Sequence, residues 1–409
     1  MIQKFTADLP SDWNIIRLDN LAEIVSGVTK GRKLEGRSTI CVPYLRVANV
    51  QAGHLDLKEI KEIEVSVDEV EKFRLKPGDV VMTEGGDRDK LGRGAVWQGE
   101  VDLCLHQNHI FRVRPKIDIL DPYYLEAYLG SPEAQTYFLR CAKQTTGIAS
   151  INMTQLRAFP VLLPPIAEQR RIAAILDRAD AVRRKRQEAI ALTEELLRSA
   201  FLEMFGDPVT NPKGWKVVLM KDVVSQTQYG TAEKANSERI GIPVLRMNNI
   251  TYTGEINLDD IKWCSIASED KEKFTVQRSD LLFNRTNSPE LVGKTAVWRS
   301  DEEYAYAGYL VRVRFKKGQA LSEYVSAYLN SSYGKKYLFE RAKPSNNMSN
   351  FSASEFLKIP LPLPPFDLQQ RFVLLADSAR LSMNRLEGIV KDADNLFNSL
   401  LQRAFRGEL

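Results

Sequence analysis

The stretch Val42-Pro43-Tyr44-Leu45-Arg46-Val47-Ala48-Asn49 returns later in the chain as Ile242-Pro243-Val244-Leu245-Arg246-Met247-Asn248-Asn249, and that return decides how the protein is built. Working outward, Glu71-Lys72-Phe73 falls on Glu272-Lys273-Phe274 and Ala95-Val96-Trp97 on Ala296-Val297-Trp298. Arg112-Val113-Arg114 matches Arg312-Val313-Arg314, Tyr124 to Leu129 matches Tyr324 to Leu329, and Trp13 matches Trp215. Both copies close on a proline-rich edge, Phe159-Pro160-Val161-Leu162-Leu163-Pro164-Pro165 and Ile359-Pro360-Leu361-Pro362-Leu363-Pro364-Pro365. The offset stays between 200 and 202 residues, far above the period of about 20 to 50 that marks solenoids. The chain is therefore two copies of one domain-sized module.

Its 409 residues exceed what one core ordinarily organises. With 44% hydrophobic and 27% charged residues the composition is that of a folded protein and excludes a disordered chain. A net charge of +4 is only mildly basic, so any nucleic-acid surface must come from local clusters. Cys41, Cys104, Cys141 and Cys264 show no paired spacing, and the first thirteen residues hold no apolar signal segment. No apolar run approaches the roughly 18 residues that span a bilayer. A cytoplasmic protein without membrane association is expected.

Within each module, Val80-Val81-Met82, Ala95-Val96-Trp97 and Ile110-Phe111-Arg112-Val113 are β-branched or aromatic and bounded by Gly, Pro or Asp, the marks of strands. Pro122 to Leu129 and Ser131 to Arg140 read as helices, the second with Ser131 as N-cap and Pro132 in the first turn. After each Pro-Pro pair the character changes. Ile166 to Phe205 holds neither Gly nor Pro and is rich in Ala, Leu, Arg, Glu and Gln, which favour helix; roughly 40 residues of helix extend about 60 Å. Ile172, Ile175, Ala179, Val182, Ala189, Leu196 and Ala200 recur in steps of three and four, interrupted by Arg186 and Thr193. Phe372, Leu375, Ala379, Leu386, Ile389, Ala393, Leu396 and Leu400 repeat that frame. Each set is a heptad seam.

Two equal seams on one chain bury each other most economically. The expected fold class is α+β: two repeated mixed α/β domains separated by two long antiparallel helices forming a coiled coil, pseudo-two-fold symmetric, the helices acting as a ruler between modules at opposite ends of a rod. A stripe packed on its own module is the alternative. The run Arg183-Arg184-Lys185-Arg186 reads as a solvated helix face, with phosphate contact as the lesser reading.

Leu162-Leu163-Pro164-Pro165-Ile166-Ala167-Glu168-Gln169-Arg170-Arg171-Ile172 and Ala404-Phe405-Arg406-Gly407-Glu408-Leu409 resemble the conserved helices of specificity subunits from type I restriction-modification systems. In that family recognition domain, helix, recognition domain and helix follow in order, an arrangement covering essentially this whole chain. The resemblance implies target-recognition domain 1 over 1-163, conserved helix 1 over 164-208, target-recognition domain 2 over 209-363 and conserved helix 2 over 364-409. It also implies a non-catalytic subunit that reads a bipartite, asymmetric site on double-stranded DNA, one half per domain. Its partners would be two methyltransferase subunits and, optionally, restriction and translocation subunits. No cofactor is expected in this chain; the methyltransferase partner is expected to use S-adenosylmethionine, and the restriction partner ATP and Mg. The second helix start, Pro364-Pro365-Phe366-Asp367-Leu368-Gln369-Gln370-Arg371, departs from the family's Ala-Glu-Gln pattern but keeps Gln369 and Arg371, which bears on whether both helices engage partners equally. A duplicated coiled-coil adaptor binding protein partners is the competing reading.

Four places invite a catalytic or metal reading, and each fails the repeat. Gly293-Lys294-Thr295 resembles the end of a phosphate-binding loop, but Ser288 stands where that loop needs Gly, and the matching stretch is Gly92-Arg93-Gly94. Asp121-Pro122-Tyr123-Tyr124 lacks the second proline of the amino-methyltransferase motif, and Ser322-Glu323-Tyr324 lacks both. Cys104, His106 and His109 suggest a partial zinc cluster, yet the second module offers Tyr304, Tyr306 and Tyr309. Asp87-Arg88-Asp89-Lys90 is likewise a poor nuclease candidate, since Asn287 to Glu290 has no lysine in step. No catalytic residues and no metal site are expected.

Base readout needs Arg or Lys for guanine and Asn or Gln for adenine, presented on loops of a rigid frame. The places to look are those where flanks match and contents differ. Thr83 to Gly94 carries Arg88, Lys90 and Arg93, whereas Asn284 to Thr295 carries Arg285, Asn287 and Lys294. A second divergent loop holds Gln144, Thr145 and Thr146 in one module and Ser345, Asn346 and Asn347 in the other. The shared pairs Arg46 with Asn49 and Arg246 with Asn249 suit phosphate positioning, with a loop-bracing role equally open.

Overall fold

Val80, Val81, Met82 and Thr83 are apolar or β-branched in succession, and all four are buried, as a central strand covered on both faces requires. In the computed structural model, which describes residues 10–87, 91–145, 148–345 and 348–409 (backbone alone at 144, 145, 148 and 345), the rest of the first module is laid around this strand. The order is β1 (Asn14–Arg17), α1 (Leu18–Leu21), β2 (Ala22–Ser26), β3 (Thr39–Leu45), β4 (Lys61–Ser66), α2 (Val70–Phe73), β5 (Val80–Thr83), β6 (Gly85–Gly86), β7 (Gly94–Val96), β8 (Leu105–His106) and β9 (Ile110–Pro115). Then come α3 (Pro122–Leu129), α4 (Pro132–Cys141), β10 (Lys143–Thr145), β11 (Ile148–Ser150), α5 (Met153–Arg157), β12 (Pro160–Leu163) and the long α6 (Ile166–Phe205).

The second module repeats this order: β13 (Lys216–Leu219), α7 (Met220–Val223), β14 (Val224–Tyr229), β15 (Ile242–Leu245), β16 (Lys262–Cys264), α8 (Lys271–Phe274), β17 (Leu281–Asn284), β18 (Thr286–Asn287), β19 (Thr295–Val297), β20 (Ala305–Tyr306) and β21 (Leu310–Phe315). It continues through α9 (Ser322–Asn330), α10 (Ser332–Arg341), β22 (Lys343–Ser345), β23 (Met348–Asn350), α11 (Ala353–Phe356), β24 (Pro360–Leu363) and the long α12 (Phe366–Ala404). The sheets repeat as well. Four antiparallel strands run β2-β9-β5-β7 in one module and β14-β21-β17-β19 in the other. Beside them lie the mixed sheets β4-β3-β8 and β16-β15-β20, the pairs β1-β12 and β13-β24, and the small sheets β10-β11-β6 and β18-β23-β22. The strand and helix expectations hold closely: α3 spans Pro122–Leu129, and the Ser131 side chain caps α4 by accepting from Ala134 N–H. No helix among the described residues is long and apolar enough to cross a membrane.

By contacts the chain divides into two units, one taking residues up to Gln187 together with Gly388–Leu409, the other Glu188–Glu387. Each unit thus holds one module, the start of its own long helix and the end of the other. In the first unit Ile172, Ala173 and Leu176 of α6 share a core with Leu401, Ala404 and Phe405. Arg171 Nη2 donates to Leu409 O at 2.6 Å, whereas Arg183 lies 3.8 Å from Asp394 and over the Phe397 ring at 4.9 Å. One helix ascends as the other descends, so the pairing is antiparallel. Gly407 (φ +72) turns the chain past α12, where a Cβ would come within 2.5 Å of Pro10 Cγ. In the second unit Phe201 and Phe205 meet Phe372 with ring centroids 5.7 and 5.4 Å apart.

The seam residues need correction. Val182 (47% exposed), Leu196 (60%), Leu375 (40%), Ile389 (40%) and Leu396 (57%) face outward. The rest of the expected seam, Ile172, Ile175, Ala179, Ala189, Ala200, Phe372, Ala379, Leu386, Ala393 and Leu400, is buried or half-buried, and the covered stripe runs through Ile172, Leu176, Ala179, Arg183, Arg186, Ile190, Thr193, Leu197 and Phe201, with counterparts from Phe372 through Met383, Val390 and Phe397 to Leu401. A strict heptad advances 3.5 residues per step, whereas these steps average about 3.6; over four heptads the difference amounts to about one residue. Arg183 is therefore not on a solvated face. Its neighbour Arg184 is tied to Asp180 (2.8 Å) and Asp177 (3.5 Å) on the same helix.

Candidate nucleic-acid interface

The shared Arg-Asn pairs build a brace. Asn49 is buried; its Oδ1 accepts from Arg46 N–H (2.9 Å) and its Nδ2 donates to Asp56 O (2.8 Å) and Glu59 O (3.0 Å). The Arg46 guanidinium donates to Glu59 O at 3.1 Å. Asn249 repeats this with Arg246 N–H, Asn257 O and Asp260 O, and Arg246 reaches both Asp260 O and its carboxylate at 2.7 Å. The amides are spent on holding a loop closed, the bracing role the sequence left open.

The two divergent loops meet in space. The segment after β5 forms β6, which pairs with β11 of the β10-β11 hairpin, Gly86 opposite Ala149 and Gly85 opposite Ser150. In the second module β18 pairs with β23, Thr286 opposite Asn350 and Asn287 opposite Ser349. The Thr286 hydroxyl donates to Asn350 Oδ1 at 2.5 Å, adding a side-chain link. Each module thus carries one small three-stranded sheet built from the two stretches where the copies differ, mounted on a frame where they agree. Arg88, Lys90, Thr146, Asn346 and Asn347 lie outside the described residues, as do the side chains of Gln144, Thr145 and Ser345.

Of the remaining candidates, Arg93 donates to Gln51 Oε1 at 3.1 Å, and Lys294 donates to Met247 O at 3.0 Å, so both tie this loop to the braced one. Lys294 is buried, which lowers its pKa. Asn287 is buried and caps its own turn by accepting from Ser288 N–H (2.9 Å). Arg285 is different: its guanidinium lies over the Tyr229 ring at 5.0 Å, and its Nε is buried without a partner. At the matching position stands Glu84, whose Oε2 is 2.7 Å from His109 Nδ1. Glu84 and Tyr229 are not among the Arg, Lys, Asn, Gln, Ser and Thr candidates, and His109 stands in the sequence only as a metal candidate; the signal for them is the reversed charge immediately after an aligned strand.

His106 and His109 face different partners. His106 is fully buried, with Nδ1 3.0 Å from Phe73 O, and burial pushes its pKa down to about 4. Tyr306 occupies the same place and donates to Lys273 O at 3.1 Å. Among the described residues no cluster of three His, Cys, Asp or Glu side chains is arranged to hold a metal. The repeated Arg-Val-Arg is structural too. Arg112 and Arg312 are buried and donate to backbone carbonyls of the segment before β5 or β17, while Arg114 and Arg314 each grip an aspartate, Asp79 or Asp280, with two hydrogen bonds.

Two copies of one braced frame thus each end in a small sheet of their own composition. The family model for the type I restriction modification DNA specificity domain matches residues 10–193 and again 212–374, and the chain belongs to that family. Its members are non-catalytic specificity subunits, the catalytic activities residing in partner subunits. Among relatives, the chain is 22% identical to the putative type I restriction enzyme MjaX specificity subunit of Methanocaldococcus jannaschii, over 98% of this chain and 95% of that one. It is 30% identical to the type I restriction enzyme EcoKI specificity subunit of Escherichia coli K12, over 48% of this chain and 43% of that one. The fold is similar to a solved type I restriction-modification S subunit from M. genitalium, with TM-score 0.57 and 12% identity over 98% of this chain and 97% of that one. A chain from a structural study of type I system assembly and conformational transition gives TM-score 0.55 and 19% identity, over 98% and 99%.

Proposed function

We propose that this chain reads a bipartite, asymmetric DNA site, one half with each module, and that its long helices recruit the methyltransferase subunits and, where present, the restriction subunits. The observation that carries the reading is the small sheet: in each module the two divergent stretches are joined on a frame that is otherwise the same. A reader of two different half-sites needs that combination, since the frame sets position on DNA and the variable surface sets sequence. Arg285 and the loop residues around both small sheets are the base-contacting candidates; Arg46 and Arg246 brace the neighbouring loops, to which Arg93 and Lys294 tie the divergent stretches. S-adenosylmethionine is assigned to the methyltransferase partner, and ATP with Mg to the restriction partner.

The test is co-expression with the cognate methyltransferase subunit followed by methylome sequencing. Adenine methylation at one split motif is the expected outcome, with DNA affinity of the complex falling steeply between about 50 and 200 mM salt as phosphate contacts demand. Methylation without sequence preference would refute the reading.

A further inference from the structure

Glu84 and Arg285 occupy one backbone position in two modules. Each follows the last residue of the central strand, β5 or β17. Glu84 N–H donates to His109 O and Arg285 N–H to Tyr309 O, both at 3.0 Å. Glu84 O accepts from Ile151 N–H (2.9 Å) and Arg285 O from Phe351 N–H (2.7 Å). The next residue in each case enters the small sheet. The main chain is pinned alike on both sides, so what differs is the side chain, and it differs in sign.

Each side chain is also prepared in its own way. Tyr229 is the platform for Arg285, and its hydroxyl accepts from Ala353 N–H at 3.1 Å, which fixes the ring. The first module has Ser26 at that place, with its hydroxyl turned onto Asn108 O (2.8 Å). Among the described residues the Arg285 guanidinium has no hydrogen-bond acceptor, and its Nε is buried without one. A planar fork held over an aromatic ring with open donors is organised for an acceptor pair. Glu84 is oriented through Oε2 by His109 and, among the described residues, has no hydrogen bond to Oε1. That oxygen is an acceptor awaiting a donor.

Resting on the reading of this chain as a DNA-sequence reader, we propose that this shared position is a base-reading site of opposite preference in the two half-sites. Arg285 takes the O6 and N7 acceptors of a guanine, and Glu84 accepts from the N4 amine of a cytosine. The position decides one base in each half of the motif.

The experiment is methylome sequencing of the complete methyltransferase complex carrying wild-type chain, E84A, E84Q, R285A, R285K or R285Q. The wild type is expected to give a split motif with a fixed G·C pair in each half. R285A should make one such pair degenerate, with discrimination there reduced about 10- to 100-fold, and leave the other half unchanged; R285Q should move that position toward adenine. E84A should relax one pair in the opposite half only, and E84Q should relax it as well because an amide replaces one acceptor oxygen with a donor. If the variants lower methylation evenly at every motif copy, and R285K restores it, the position contacts phosphate and the proposal is overturned. It is equally overturned if both sets of variants relax the same half. Co-purification of each variant with the methyltransferase subunit and an unchanged melting temperature separate these results from misfolding. A wild type with no motif at all would instead remove the reading beneath the proposal.

Discussion

His106 and Tyr306 show how one structural task is met by different side chains. Both lie on the parallel strand, β8 or β20, and reach a carbonyl in the last turn of the short helix before the central strand, Phe73 O or Lys273 O. The histidine brings a pH dependence that the tyrosine does not. With an ordinary value of 6.5 and a folded value near 4, caused first by burial, His106 takes up a proton more readily in the unfolded chain. Its effect on stability is therefore negligible above pH 6.5, grows as pH falls from 6.5 to 4, and levels off below, at a total loss of about 3 kcal/mol. Glu126, whose carboxyl burial raises to about 7, works in the opposite sense, losing stability as pH rises from 4.5 toward 7. The wild-type profile mixes the two, so the expected observation is comparative: urea unfolding of H106Y should weaken less than wild type between pH 7 and pH 5. Identical slopes for the two proteins would show that the imidazole is not held neutral. At the same scale, Gln169 accounts for the glutamine retained in both helix starts. It is fully buried, accepting from Asp121 N–H and donating to Ile119 O and Pro164 O, and Gln369 repeats this with Leu321 N–H, Gln319 O and Pro364 O. The motif shared by both boundaries is a staple between module and helix.

The long helices were readable as elements and misread in phase. Composition and the lack of Gly and Pro over Ile166–Phe205 gave the helix to the residue, but a heptad frame placed Leu196 and Leu396 inside. An α-helix keeps about 3.6 residues per turn, and only the packing reveals that the contact stripe follows it. Adjacent leucines make the difference measurable. Leu197 packs against the core of its unit while Leu196 is 60% exposed. Leu197→Ala should cost about 2 kcal/mol, whereas Leu196→Ala should stay within about 0.5 kcal/mol; chemical denaturation of both variants decides it, and equal losses would restore the heptad frame. Arg183 belongs to the same element. Its guanidinium occupies a seam position over the Phe397 ring and beside Asp394, a use of arginine that a basic run does not announce.

For the whole chain, each unit is closed by residues from the far end of the other module's helix. Phe405 packs its ring against Tyr124 (5.6 Å) and Tyr128 (4.9 Å), and Phe205 does the same to Tyr324 (4.8 Å) in the second unit. Phe405→Ala should therefore cost about 3 to 5 kcal/mol and raise hydrogen exchange in α3, while the corresponding α9 keeps its protection. Exchange that rises equally in both helices would contradict this division of the core.

Duplication, module order, helix extents and the divergence of two loops were settled by sequence, because repeats, helix formers and breakers are local and additive signals. Three things waited for the tertiary structure. Which loops adjoin depends on pairing between β6 and β11, strands too short to carry a pattern. Whether a polar residue braces or reads depends on what surrounds it: Asn49 and Lys294 are buried in hydrogen bonds, while Arg285 lies on a ring with open donors. And the opposed charges of Glu84 and Arg285 acquire meaning only once both are seen pinned by the same backbone hydrogen bonds, since equivalence of position is a property of the fold and not of either residue.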